Sequence, residues 1–400
     1  MKQILLISVL FFGLKCGGQN TPELDGKIIY HINENVKNST EDYFIEIQKN
    51  WEDYLSSNQY VRRSNELWNY DGYPFPDYSY VTMLMDVRRM LHAGGKMQCS
   101  TIAIVPVKND YYLLRTVYTK QSEKTPSNVE IRFIISVYAK KKDNAFQFYS
   151  STAYHKEVYE NYQAGSINYI IHPMHSFNKE DAAKMNAYNL EMSKLFEIDP
   201  IQFDYVVTND TRDLSDVTGL NLFSYSYQPI ASGGMADGFN NVIFAGNNSA
   251  YYPHEVVHLY TRAKYPSQYH TWVDEGIAAL LGGSTGYDIE WHWEKLRQFL
   301  IENPDYKLED LSAIETLIPN GEFMTDFRYA VGALICQRII DRHGMAGIFT
   351  ALQAGRTEEN YFEVLEELLD LKRADFEQYV RTEIQKISPL NEDQLKAYKY

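Results

Sequence analysis

One short stretch of the chain, residues 251–260, carries residue types at a spacing that suits hydrolytic chemistry. It reads YYPHEVVHLY and contains His254, Glu255 and His258. On an α-helix, with about 3.6 residues per turn, side chains four positions apart project from the same face, so both imidazoles could bind one metal ion. In an H-E-x-x-H arrangement the two histidines bind zinc and the glutamate is the general base. The sequence therefore predicts one Zn²⁺ per chain.

A catalytic zinc ion needs a third protein ligand besides the two histidines, because it takes three and keeps one position for water. Residues 271–281 read TWVDEGIAALL, an apolar, alanine-rich segment with helical character. Sixteen residues separate Glu275 from His258, enough for one helix to end and a second to return beside it. Asp274 competes with Glu275 for the ligand role, and Glu275 could instead be a surface carboxylate near a helix start.

The two segments together resemble the gluzincin zinc metallopeptidases, the thermolysin-like clan, and most closely the M1 aminopeptidases. In that family HExxH is followed by a WLNEG-type segment, to which WVDEG corresponds here. The resemblance implies that His254, His258 and Glu275 are the zinc ligands and that Glu255 is the general base. It covers about residues 200–385.

A tyrosine further along the chain falls in the order that this family requires. Residues 329–333 read YAVGA, which is similar to the Y-x-K-G-A segment of M1 peptidases, with Val331 in place of the lysine. The resemblance implies that the Tyr329 hydroxyl stabilises the oxyanion. The chain has 33 tyrosines, so a packing role for this residue is the alternative.

Upstream of the histidines, residues 232–244 read SGGMADGFNNVIF and are similar to the GxMEN strand of the M1 substrate cleft. The matching residues are Gly233, Gly234 and Met235. The family's glutamate, which holds the free amino terminus of a substrate, is Ala236 here. The resemblance thus implies an endopeptidase or a narrowly specific peptidase rather than a general aminopeptidase.

These residues predict a zinc-dependent peptidase in which water attacks the peptide bond with Glu255 as general base, and the resemblance implies Tyr329 as oxyanion donor. The amino terminus, described below, predicts that this peptidase is secreted. The alternative is a non-catalytic protein that keeps a metallopeptidase scaffold and binds peptide or glycan through tyrosine-rich surfaces. The formal net charge of −15 argues against a nucleic-acid partner, which would require basic patches. A peptide or protein substrate is the expected partner.

The elements that position these residues form two predicted domains, and the fold class is α+β. Residues 19–175 are predicted to form an accessory domain, with one helix over Thr40–Leu55 and another over residues 80–91. Alternating β-branched and aromatic runs then predict antiparallel strands: STIAIVPV, YYLLRTVYT, VEIRFIISVYA and FQFYSSTAYH. The order of elements is faintly similar to the NTF2-like fold.

Residues 176–400 are predicted to form the catalytic domain, thermolysin-like and mostly helical toward its C-terminus. A helix is predicted over Lys179–Phe196, with Asn178 as its cap, followed by a strand at FDYVVT. After the zinc motifs the periodicity predicts the helices Glu290–Ile301, Arg328–Arg342, Ala346–Gln353, Asn360–Leu369 and Arg373–Ile387.

The amino terminus, residues 1–18, is predicted to be a signal peptide. A lysine precedes an apolar run of eleven residues, 4–14, which is too short to span a bilayer as a helix. Cleavage between Gly18 and Gln19 would give a secreted or periplasmic protein. The alternative is a bacterial lipoprotein that is anchored to the membrane through Cys16.

Overall fold

A computed structural model describes most of the chain, in these ranges: residues 28–32, 40–56, 65–77, 97–121, 129–223, 233–266, 269–308, 311, 317–320 and 323–390. The predicted signal peptide, Cys16 and the predicted helix over residues 80–91 lie outside them. None of the helices in the described ranges combines the length and hydrophobicity needed to cross a membrane.

The first sheet has six strands among the described residues: β1 (Ile28–Ile32), β2 (Met97–Pro106), β3 (Tyr111–Gln121), β4 (Val129–Lys142), β5 (Ala145–Tyr149) and β9 (Leu220–Phe223). Its order is β1-β2-β3-β4-β5, and β9 also pairs with β4. All pairs are antiparallel except β1 with β2. Helix α1 (Asp42–Ser56) packs on this sheet, with the Trp51 ring edge-on to Phe148 at 5.2 Å between centroids. The helix and the antiparallel sheet follow the sequence prediction.

The run after β5 is a helix, and the prediction of one strand through FQFYSSTAYH was wrong. Strand β5 ends at Tyr149, and α2 (Ser151–Val158) begins two residues later. The Ser150 hydroxyl accepts a hydrogen bond from the backbone N–H of Ala153 at 3.1 Å. Because a serine in this position satisfies a helix-start donor, it ends the strand in spite of the alternating pattern.

The second sheet has the order β10-β11-β8-β7-β6, and its three central strands run parallel. The strands are β6 (Glu160–Ala164), β7 (Ile167–Ile171), β8 (Phe203–Val207), β10 (Gly233–Asp237) and β11 (Val242–Gly246). Every residue of β8 and β11 is buried, as expected for strands covered on both faces. Since β6 and β7 precede residue 175, the domain boundary predicted between residues 175 and 176 falls inside this sheet.

Two helices follow strands of this sheet, one leading to the next strand of the same sheet and one to a strand of the first sheet. Helix α3 (Lys179–Phe196) links the parallel strands β7 and β8, and it has the bounds that the sequence predicts. Its cap is also confirmed, because the Asn178 side chain accepts from the N–H groups of Glu180 and Asp181. Helix α4 (Thr211–Thr218) links β8 to β9 in the first sheet.

The remainder of the chain is mostly helical, as predicted: α5 (Pro253–Lys264), α6 (Thr271–Gly282), α7 (Ile289–Glu302), α8 (Phe327–Gln353), α9 (Glu358–Leu369) and α10 (Phe376–Ile384). The hairpin β12 (Leu317–Asn320) and β13 (Phe323–Asp326) separates α7 from α8. The predicted helices on either side of residue 344 are two segments of α8, because Gly344 interrupts it at φ 63°. The fold is α+β, and the largest hydrophobic core lies between the second sheet and these helices.

Candidate metal centre

The H-E-x-x-H motif lies on the first turns of α5. Pro253 occupies the first helical turn, where its missing N–H leaves no unsatisfied donor. His254 and Glu255 are buried, with 2% and 5% of their surfaces exposed. The imidazole rings of His254 and His258 lie 4.9 Å apart between centroids. One turn of helix therefore places both rings beside the same point.

Three side-chain atoms converge at that point. His254 Nε2 lies 3.2 Å from His258 Nε2, and Glu275 Oε2 lies 3.4 Å from the first and 3.6 Å from the second. Ligands about 2.0–2.1 Å from a tetrahedral zinc ion are separated from one another by about 3.3 Å. The three atoms fit a zinc ion without rearrangement, and they form one potential metal-binding group among the described residues.

The opposite nitrogen of each ring is held by a second hydrogen bond. His254 Nδ1 lies 2.6 Å from the carbonyl oxygen of Gly283, and His258 Nδ1 lies 3.1 Å from Asp274 Oδ2. The Thr261 hydroxyl donates to the other oxygen of Asp274 at 2.6 Å. Since a carbonyl can only accept, His254 carries its proton on Nδ1 and turns the Nε2 lone pair toward the ligand cluster.

Asp274 thus lies behind His258 and outside the ligand cluster, while Glu275 lies within it. Consecutive helical residues point about 100° apart, so one side chain of this pair can face the metal site and the other cannot. The sequence alone presents Asp274 only as a rival ligand. The helical angle between neighbouring acidic residues was the signal that could have assigned it the orienting role.

The two glutamates of the site have opposite pKa shifts. Burial raises the pKa of Glu255, and the neighbouring histidine rings oppose that rise only in part. Burial acts in the same direction on Glu275, but the rings of His258 and His254 outweigh it and hold its pKa well below the usual range. Two carboxyl groups whose environments move their pKa values apart can take different roles, here a proton acceptor and a permanently charged ligand.

Tyr329 stands beside the ligand cluster at the start of α8. Its ring lies edge-on to His254, with 5.4 Å between centroids. Burial raises the pKa of the phenol well above 10, the nearby Glu275 carboxylate raises it further, and a hydrogen bond with Ser284 opposes the rise. The hydroxyl is therefore protonated at neutral pH and able to donate a hydrogen bond.

Helix α6, which carries Glu275, is packed by glycines against both of its neighbours. A Cβ on Gly276 would lie 2.4 Å from the carbonyl carbon of Gly332 in α8. A Cβ on Gly282 would lie 2.5 Å from the backbone nitrogen of His254 in α5. Only glycine permits these two backbone approaches, which fix Glu275 relative to His254 on one side and Tyr329 on the other.

Strand β10 carries the residues assigned to the substrate cleft, and it lies at an edge of the second sheet. Gly233, Gly234 and Met235 are each partly exposed. A Cβ on Gly234 would lie 2.5 Å from the ring of Tyr252, just before the motif helix. Ala236 is buried in the main core. The strand is therefore adjacent to α5, through the contact between Gly234 and Tyr252.

Solved structures of M1 zinc metallopeptidases are similar to this chain. One from Deinococcus radiodurans aligns at 13% identity over 74% of this chain and 66% of that chain, with a TM-score of 0.31. A mutant of the Deinococcus radiodurans enzyme bound to a Tyr-Ser-Ala substrate aligns at 11% identity, with a TM-score of 0.29 and the same coverage. A mutant two-domain M1 zinc metallopeptidase bound to L-tryptophan aligns at 12% identity, with a TM-score of 0.30.

The aligned part is thus slightly less than two thirds of those chains. No protein-family model and no curated protein matches the chain. A structural likeness this weak decides neither the fold nor the activity, so the geometry of the metal centre is what bears on function.

Proposed function

We propose that the chain is a zinc-dependent peptidase of the gluzincin, thermolysin-like type. The observation that carries this proposal is the convergence of His254 Nε2, His258 Nε2 and Glu275 Oε2 at zinc-ligand spacing, with Glu255 buried next to the first ligand. These three side chains would hold one Zn²⁺ per chain. The N-terminal segment supports export, as a secreted or periplasmic enzyme or one anchored through Cys16.

Bound zinc would supply Lewis acidity, which acidifies water and polarises a peptide carbonyl. Glu255 accepts the proton of the attacking water and passes it to the leaving amine. Its raised pKa suits both steps, since an efficient acid–base group has a pKa near the working pH. Tyr329 donates its hydroxyl hydrogen to the oxyanion, and Asp274 keeps His258 oriented while the charge at the site changes.

The site also favours cleavage within a chain over removal of single amino-terminal residues. Ala236 offers no carboxylate to a substrate ammonium group, and it is buried in the core. The adjacent Asp237 is also buried, and its carboxylate accepts hydrogen bonds from the backbone N–H of Phe239 and from the Asn240 side chain. We therefore propose endopeptidase or narrowly specific activity, and steady release of free amino acids from unblocked peptides would contradict it.

The test is hydrolysis of a diverse peptide library, read by mass spectrometry, with protein that begins at Gln19. Glu255→Gln should retain one zinc per chain and lose cleavage, because the amide keeps the shape but cannot accept the proton. Glu363→Gln, an exposed change on α9, is the matched control and should cut as the wild type does. Cleavage that survives in Glu255→Gln, or after removal of the metal by a chelator, would refute the proposal. A protein with one zinc that cuts nothing would favour the non-catalytic alternative.

A further inference from the structure

The turn that follows α6 touches the metal centre at two successive residues. The carbonyl of Gly283 accepts the hydrogen bond that fixes the His254 ring, at 2.6 Å. The side chain of Ser284 lies close enough to Tyr329 that its interaction with the hydroxyl lowers the pKa of the phenol. Any movement of this turn would therefore disturb one zinc ligand and the oxyanion donor together.

This turn has a backbone conformation that needs support. Ser284 and Tyr287 exchange two backbone hydrogen bonds of 2.9 Å each, and the two residues between them have φ values of 51° and 86°. Positive φ at both central positions is the type I′ pattern, which suits glycine at Gly286. Thr285 is β-branched, and such a side chain is strained at positive φ unless surrounding contacts hold it there.

His292 on α7 supplies such a contact from the side of the protein interior. Its Nε2 lies 3.1 Å from the carbonyl oxygen of Ser284, and its Nδ1 lies 2.6 Å from the Thr325 hydroxyl. Because the carbonyl can only accept, Nε2 carries the proton and Nδ1 accepts from Thr325. The ring is fully buried, and its centroid lies 6.0 Å from that of Tyr329.

We propose that His292 is a positioning residue of the metal centre. By donating to the Ser284 carbonyl it holds residues 283–287 in the conformation from which Gly283 orients His254 and Ser284 meets Tyr329. The expected effect on hydrolysis rests on the proposed function, whereas the expected effect on metal affinity does not. The competing interpretation is a core histidine whose hydrogen bonds contribute only to stability.

Two substitutions at this position separate the two interpretations. His292→Leu removes the donor to Ser284, whereas His292→Gln keeps an amide N–H at nearly the same distance along the side chain. Leu365→Ala in α9, a fully buried position outside the metal centre, serves as a control for lost stability. All are compared at a temperature at which the protein remains folded.

Zinc affinity, measured by competition with a chelator, should fall about tenfold in His292→Leu, toward the lower end of the effect of outer-sphere partners on metal binding. The visible absorption of the Co²⁺-substituted protein should shift as well. His292→Gln should stay within about twofold of the wild type. Leu365→Ala should lower the melting temperature without changing either metal measurement. Unchanged affinity and spectrum in His292→Leu, or equal losses in His292→Gln, would overturn the proposal.

A second pair of variants decides the question if His292→Leu fails to fold. Thr325→Val removes the hydroxyl that fixes the His292 tautomer, and it should weaken zinc binding about threefold, less than the loss of a direct partner of a ligand. Thr285→Gly relieves the strained φ, so the same Thr325→Val change should have a smaller effect in that background. Equal effects in both backgrounds would refute a role in holding the turn.

The last measurement is the rate of peptide hydrolysis by the His292 variants. His292→Leu should lower kcat with little change in KM, because the Tyr329 contact is used after substrate binds. If the wild type binds zinc but cuts no peptide, the proposed peptidase function fails while the metal measurements still decide the role of His292.

Discussion

Alanine at position 276 should push α6 away from α8. The added Cβ would lie 2.4 Å from the Gly332 carbonyl carbon and 2.6 Å from its oxygen, far inside ordinary contact. Because both are backbone atoms that cannot rotate away, the two helices must separate locally by about 1 Å to reach van der Waals distance. Glu275 directly precedes the substituted residue, and Tyr329 lies on the other helix.

The loss of stability should be modest and the loss of rate large. Overpacking of this kind destabilises by about 1–3 kcal/mol, and alanine regains about 1 kcal/mol over glycine in helix propensity. A net effect of about 0–2 kcal/mol leaves the protein folded. A displacement of about 1 Å between catalytic groups can reduce the rate on the order of 100-fold. We therefore expect Gly276→Ala to lose kcat/KM by about two orders of magnitude while keeping most of its zinc affinity.

A second substitution in the same helix should reduce zinc affinity more than it reduces turnover by the bound-metal enzyme. Gly282→Ala would bring a Cβ within 2.5 Å of the His254 backbone nitrogen, so it separates α6 from α5. That movement draws Glu275 away from His254, and zinc affinity should fall first. The pair of variants thus tests whether Gly276 sets the distance from Glu275 to Tyr329 while Gly282 sets the distance from Glu275 to His254.

The assay compares kcat/KM on a peptide cut by the wild type, zinc affinity by chelator competition, and thermal unfolding. Gly347→Ala is the matched control, because it lies in the second segment of α8 and its Cβ would meet side-chain atoms of Ile339 and His343. It should lower stability and leave kcat/KM unchanged. Wild-type turnover in Gly276→Ala, or an equal loss of turnover in Gly347→Ala, would refute the reasoning.

Three further predictions concern the site, low pH and the thiols. Asp274→Asn should weaken zinc binding about 10–100-fold, because one amide oxygen must replace two carboxylate oxygens beside His258 and the Thr261 hydroxyl; chelator competition measures this, and unchanged affinity would contradict it. Burial lowers the pKa of three histidines to about 4. Between about pH 6.5 and 4 only the unfolded chain binds their protons, so the free energy of unfolding should decrease as the pH is lowered through that window, by up to about 3 kcal/mol for each histidine. These residues are His155, His270 and His292. Urea unfolding at several pH values tests this, and a slope unchanged in His155→Gln would count against it. Cys99 and Cys336 should react with thiol reagents only after unfolding, since both are buried and burial raises the pKa of each thiol, that of Cys99 to about 12.

The features that the sequence predicts well are those with local causes. Helix α3 and its Asn178 cap follow from an acceptor side chain placed just before a run of apolar residues at helical spacing. Both signals lie within the helix and the residue that precedes it. The spacing of His254 and His258 is likewise a property of one helix. Local hydrogen bonds and helical geometry act over a few residues, so a short segment carries all the information.

The features that escaped prediction depend on contacts between distant segments. Nothing near His292 in the sequence indicates that its ring reaches the hydroxyl of Thr325, because α7 and β13 are brought together only by the folded core. Strand β7 pairs with β8 across the whole of α3, which is why the predicted boundary at residue 175 fell inside a sheet. The helical run after Ser150 had a local signal, but the alternating aromatic residues outweighed it.

Strand β9 lies between two strands of the second sheet in the chain, yet it completes the first sheet beside β4. A fragment that begins at residue 176 would therefore lack β6 and β7 and leave β8 with an open, apolar edge prone to aggregation. A fragment that ends at residue 175 would lose β9, the strand that pairs with β4 at Phe133 and Ile135. Because the strands of the two sheets alternate along the chain, neither sheet can form completely without segments that lie beyond the other. We therefore expect limited proteolysis and calorimetry to report one cooperative unit.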